Sequence, residues 1–124
     1  MAAIKSYTDI DQSKKLAEFL PLESADYHYI AQGEKSYFYP YSLSSDAVKD
    51  YDEEIKYIPC WSLAALFNVL PAECECMALE HINYGNNHKK YFMHYVGGES
   101  TEDYVNAIDA CIAMIEKLNE LGVL

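Results

Sequence analysis

Residues 76–96 read CMALEHINYGNNHKKYFMHYV, and residues 106–122 read NAIDACIAMIEKLNELG. In the first stretch, two runs rich in β-prone residues (76–84 and 90–96) flank Gly85-Asn86-Asn87-His88. Turn-forming residues between alternating runs predict an antiparallel hairpin. Gly97-Gly98 then breaks the chain. In the second stretch, Ile108, Cys111, Ile112, Ile115 and Leu118 recur at helical spacing, while Asp109, Ala113, Glu116, Lys117 and Glu120 fall opposite. Asn106 is suited to cap this helix, and Gly122 stands where a left-handed C-cap belongs. A half-buried hairpin beside a one-sided helix predicts an α+β layer.

Working towards the N-terminus, residues 59–70 read as a second helix, with Pro59 tolerated in its first turn and Pro71 ending it. With only Ser62 and Asn68 polar, this helix is expected to be buried on more than one side. Residues 26–31 are rich in tyrosine and isoleucine and predict a strand, with 32–35 as the turn and 36–39 as the return strand. Pro40 ends that strand. Residues 41–58 form a long connection, in which Val48, Tyr51 and Ile55 behind Ser45 suggest a short acidic helix. Thr8 is placed to cap a first helix with Ile10, Ser13, Ala17 and Leu20 on one face, and Pro21 stops it at Leu20. There is no internal repeat and no linker rich in glycine and serine. The expectation is therefore one α+β domain over residues 1–124, ordered helix, hairpin, helix, hairpin, helix, with an antiparallel sheet packed against the helices.

Charge narrows the function. The chain has 124 residues, with 20 acidic residues against 9 basic ones and a formal net charge of −11. Every basic residue is a lysine. Binding to nucleic acid draws on a basic surface that releases counterions, so direct nucleic-acid binding is not expected. Imitation of DNA by carboxylates would need phosphate-like spacing, a property of three dimensions. Residues 1–10 hold no basic segment leading into an apolar run, and the apolar stretch 63–72 is far short of the roughly 20 residues of a membrane span. The four cysteines then read as reduced thiols, and the expected location is the cytoplasm.

No cofactor, metal site or catalytic residue is assigned from the sequence. Cys74-Glu75-Cys76 is one close pair without the second pair that a zinc site uses. Asp50-Tyr51-Asp52-Glu53-Glu54 resembles the opening of a calcium loop, but Ile55 and Trp61 stand where such a loop needs glycine and glutamate. Nucleophile elbows, phosphate loops and dinucleotide fingerprints are absent from the sequence. His28, His81 and His94 fall in predicted strands, and only a register that gathered them would make a metal or proton-transfer site. His88 belongs to a turn.

Three segments taken together carry a resemblance. Tyr7-Thr8-Asp9-Ile10 runs through Gln12-Ser13-Lys14-Lys15-Leu16-Ala17-Glu18 to Leu20-Pro21-Leu22-Glu23-Ser24-Ala25-Asp26. Pro59 is followed by Trp61-Ser62-Leu63-Ala64-Ala65-Leu66 and closed by Leu70-Pro71. Asp109-Ala110-Cys111 precedes Met114-Ile115 and Lys117-Leu118. In this order they resemble a group of small uncharacterised proteins of gut Bacteroidales, often encoded on phages, prophages and other mobile elements. The chain departs from that group at Asn106-Ala107-Ile108-Asp109, where the group commonly has Asn-Pro-Val-Asp, and in a longer, more acidic 41–58. The resemblance implies a shared fold and a mobile-element context. It transfers no catalytic residue.

The functional expectation follows from twelve tyrosines. Tyrosine and tryptophan offer rigid contact area with a polar tip. The candidate binding residues are Tyr27, Tyr29, Tyr39, Trp61, Tyr91 and Tyr95, with Asp50, Asp52, Glu53 and Glu54 as an acidic docking run. The reading is a non-enzymatic accessory binding protein of a phage or mobile element that engages a host protein. The alternative is an oligomer that sequesters a small nucleotide-like signal molecule, with Lys89-Lys90 meeting a phosphate. A small hydrolase using a histidine and carboxylates comes third. Oligomeric state is left open.

Overall fold

The computed structural model describes residues 5–32, 35–36, 40–41, 55–70, 77–83, 85, 89–95, 100–122 and 124. Among them are α-helices and two antiparallel sheets, an α+β architecture. The chain divides into two compact units, Tyr7–Val69 and Leu70–Leu124 with Met1–Ser6.

In the first unit, α1 (Ile10–Leu16) starts one residue later than the sequence reading placed it. Its N-cap is Asp9, not Thr8: the Gln12 amide donates to Asp9 Oδ1 at 2.8 Å, and the Asp9 amide donates to Gln12 Oε1 at 3.1 Å. This reciprocal capping box satisfies two orphan donors at once. Thr8 is fully buried, and its hydroxyl accepts from the Trp61 amide at 3.1 Å, so it is unavailable as a cap. The α-helix also ends at Leu16, short of the expected Leu20, because the next bonds tighten to i→i+3, Glu18 to Lys15 and Phe19 to Leu16. Leu16 and Leu20 are both buried. A single 3₁₀ turn, Leu22–Ser24, follows Pro21.

Strand β1 (Tyr27–Gln32) is the centre of a three-stranded sheet, between β2 (Lys35–Ser36) and β3 (Ile55–Cys60). Gln32 and Lys35, expected in the turn, are paired as strand residues. Residues 37–39, expected in the return strand, lie outside the described residues, as does the expected helix around Val48 and Tyr51.

The largest correction is β3. Residues read as the end of a connection and the start of a helix form a strand, paired antiparallel with β1 from Tyr27 opposite Cys60 to Gln32 opposite Ile55. Among the described residues the order is therefore helix, hairpin, strand, helix, hairpin, helix. Pro59 fits because it lies opposite His28, whose amide and carbonyl are both bonded to Tyr41 at 2.9 Å on the other side of β1. At such a position the ladder asks no N–H of its partner, so proline removes nothing.

The second helix, α2 (Leu63–Val69), starts after Ser62 rather than at Pro59. Ser62 Oγ accepts from the Ala65 amide at 3.2 Å. Asp26 holds Ser62 in turn, accepting from its amide at 2.9 Å and from its hydroxyl. Burial of α2 is one-sided, against expectation: Ala65 and Leu66 are buried, whereas Ala64, Phe67 and Asn68 are exposed.

In the second unit, β4 (Met77–Asn83) and β5 (Lys89–Tyr95) pair antiparallel from Met77 opposite Tyr95 to Asn83 opposite Lys89. Gly85 takes φ +84° in the turn, and its amide donates to Asn83 Oδ1 at 2.9 Å. The left-handed conformation suits glycine. The other edge of β5 is held by the segment before the last helix, with backbone bonds between Tyr91 and Tyr104 and from Thr101 to Met93.

The last helix, α3 (Ala107–Glu120), is capped by Asn106, whose Oδ1 accepts from the Asp109 amide at 2.8 Å. The helix starts without a proline at Ala107. Lys5 Nζ meets Asp109 Oδ1 at 2.8 Å, placing a carboxylate in the positive first turn and a cation beside it. Ile108, Cys111, Ile112, Ile115 and Leu118 are all buried, joined by Ala110 and Met114. Gly122 takes φ +75° beyond the helix end. The helix packs on β5 and β4, with Met93 fully buried. Among the described residues no helix is long and apolar enough to cross a membrane.

Two substitutions separate the roles of Thr8 and Asp9. Asp9→Ala is expected to cost about 1 kcal/mol, the usual value of an N-cap. Thr8→Val keeps the shape but strips buried groups of their partner, and is expected to cost about 1–3 kcal/mol. Urea unfolding of each variant against the parent chain measures both, and a smaller loss for Thr8→Val than for Asp9→Ala would contradict this assignment.

Candidate functional site

Alternation along a strand sends neighbouring side chains to opposite faces. The β1–β3 register therefore sorts this sheet without ambiguity. One face carries Tyr27, Tyr29, Ile58 and Cys60, and the other His28, Ile30, Tyr57 and Pro59, with Tyr41 beside His28.

The first face turns towards Thr8 and α1. Tyr29 is buried, and its hydroxyl donates to the Thr8 carbonyl at 2.7 Å. Cys60 Sγ donates to the same carbonyl at 3.3 Å and accepts from the Thr8 hydroxyl at 3.5 Å. The Thr8 and Ser13 hydroxyls are 2.8 Å apart. Trp61 is fully buried next to this cluster, its indole N–H donating to Ser24 Oγ at 2.9 Å. Tyr29 and Trp61 thus spend their polar tips inside the fold, which corrects their assignment as surface contacts. Tyr27 is half-buried, its ring centroid 6.0 Å from that of Tyr7.

The opposite face bears Tyr41, Tyr57, Ile30 and His28. Tyr41 is 37% exposed, and Tyr57 and Ile30 are half-buried. His28 is buried beneath them, meeting Tyr57 edge-on at 6.4 Å and 83°. In the sequence, Tyr41 and Tyr57 fall in the 41–58 connection, outside the candidate binding residues. Tyr41 joins His28 by its own bridge and Tyr57 through β3, and the signal for β3 was the β-prone Ile55, Tyr57 and Ile58 ahead of a proline that needs no donor.

In the β4–β5 ribbon, Tyr91 is half-buried with its ring 6.2 Å from that of His81, its cross-strand partner. These two share a face with Met93, the side on which α3 packs. The outer face holds Ala78, Glu80, Ile82, Lys90, Phe92 and His94. There His94 stacks on Phe92 at 5.6 Å, and its Nε2 lies 2.7 Å from Glu80 Oε2, the ring N–H donating to the carboxylate. His81 and His94 therefore point to opposite faces of one ribbon and do not converge. Tyr95 belongs to β5 by its backbone. Tyr39, Asp50, Asp52, Glu53 and Glu54 lie outside the described residues, as do Cys74 and Cys76.

The two cysteines within the described residues are free thiols, and both are buried. Burial pushes the Cys60 thiol up from its ordinary value, against hydrogen bonds with Thr8, Ser13 and Tyr29 that pull it down. The Tyr29 phenol is likewise raised, first by burial and then by Cys60. Burial pushes Cys111 up to about 12. The thiolate is the nucleophilic and metal-binding form, so these are poorly reactive core groups. Among the described residues, no group of three or more histidines, cysteines and carboxylates is placed to hold a metal ion.

Comparison of the chain with family models, with curated proteins and with solved structures gives no match.

The raised thiol makes alkaline stability a test of the core. A group protonated more tightly in the folded than in the unfolded chain stabilises the fold fully below its unfolded value, and that contribution is lost as pH rises through the folded one. For Cys111 the window runs from its ordinary value of 9.0 to about 12. Stability measured by urea titration across that window is expected to fall, and Cys111→Ala is expected to flatten part of the slope. An unchanged slope in the variant would place the alkaline loss elsewhere.

Proposed function

We propose that this chain is a non-enzymatic accessory binding protein of a phage or mobile element, and that it engages a host protein through the face of the three-stranded sheet bearing Tyr41, Tyr57 and Ile30. The observation that carries this reading is the exposure of Tyr41, with half-buried Tyr57 and Ile30 on the same side of the sheet, turned away from α1. Tyrosine at such a face offers a large, rigid ring and has few torsions to freeze on binding. The net charge of −11 favours a partner with a basic surface, since complementary charge speeds encounter and selects against acidic competitors.

The test is native mass spectrometry of the purified chain after incubation in host-cell extract, followed by affinity measurement on the protein recovered. A stoichiometric complex is expected, and truncating a tyrosine at the centre of an interface costs about 1–2 kcal/mol or more, roughly ten-fold in affinity for each ring. Tyr41→Ala with Tyr57→Ala should therefore weaken capture by about a hundred-fold if the two act independently. Phe92→Ala, on the other sheet, should leave capture unchanged, and circular dichroism checks that each variant is folded. Capture that survives the double substitution in a folded variant would overturn the assigned surface. A closed oligomer carrying a small added mass at each site, with no host protein, would overturn the binding-protein reading in favour of sequestration of a small molecule.

A further inference from the structure

We draw no further inference here: the strongest candidate, the outer face of the β4–β5 ribbon where the His94–Glu80 pair and Phe92 lie beside exposed Ile82, carries nothing because the structure does not show what covers it.

Discussion

The first unit depends on the satisfaction of Thr8, a polar residue with no exposed surface. Its amide donates to the Trp61 carbonyl at 2.9 Å, its carbonyl accepts from Tyr29 and Cys60, and its hydroxyl is bonded to the Trp61 amide, Ser13 and Cys60. Each bond contributes only about 1 kcal/mol net, but each buried group left without a partner costs about 1–3 kcal/mol. The cluster therefore acts chiefly by penalising alternatives. Any slip of β3 along β1, or of Thr8 along β3, would strand several buried donors and acceptors together. Among the described residues no buried side-chain polar atom lacks a partner.

From that constraint follows the division of the sheet into two faces. Because Tyr29 and Cys60 must reach Thr8, the residues between them in the pleat, His28, Ile30, Tyr57 and Pro59, are committed to the opposite side. A one-residue slip would exchange the two sets entirely. Ser62 extends the same logic into α2: Asp26 secures its amide and hydroxyl, and Ser62 in turn caps the helix. The tyrosine-bearing face is thus a consequence of how the core is bonded.

The second unit is organised differently. Its helix buries an apolar stripe against the ribbon, and its polar contacts lie at the edges: Asn106 and Lys5 at the helix start, and Lys117 Nζ donating to the Ser100 carbonyl at 3.0 Å. Burial of Ile108, Ile112, Met114, Ile115 and Leu118 supplies a non-directional force of about 1.5–3 kcal/mol for each large side chain. Such a force tolerates small shifts that the Thr8 cluster does not. The ribbon's own register, however, sends His81 and His94 to opposite faces.

The sequence by itself determined the elements whose signals are local. The stripe of α3 with Asn106 and Gly122 at its ends, and the β4–β5 ribbon around Gly85, were legible because helical spacing, capping and turn chemistry act over a few residues. Thr8 as cap, Pro59 as helix start and Tyr29 as surface contact were misread for one shared reason. Thr8 and Asp9 are both good caps, Pro59 suits a helix start or a strand position that asks for no donor, and Tyr29 alternates equally well on either face. Only long-range pairing, Thr8 with Trp61 and β1 with β3, selects between those options. Tertiary structure decided the candidate site for the same reason: Tyr41, Tyr57 and His28 are brought together by cross-strand register, and register is set by buried hydrogen bonds between segments far apart in the chain.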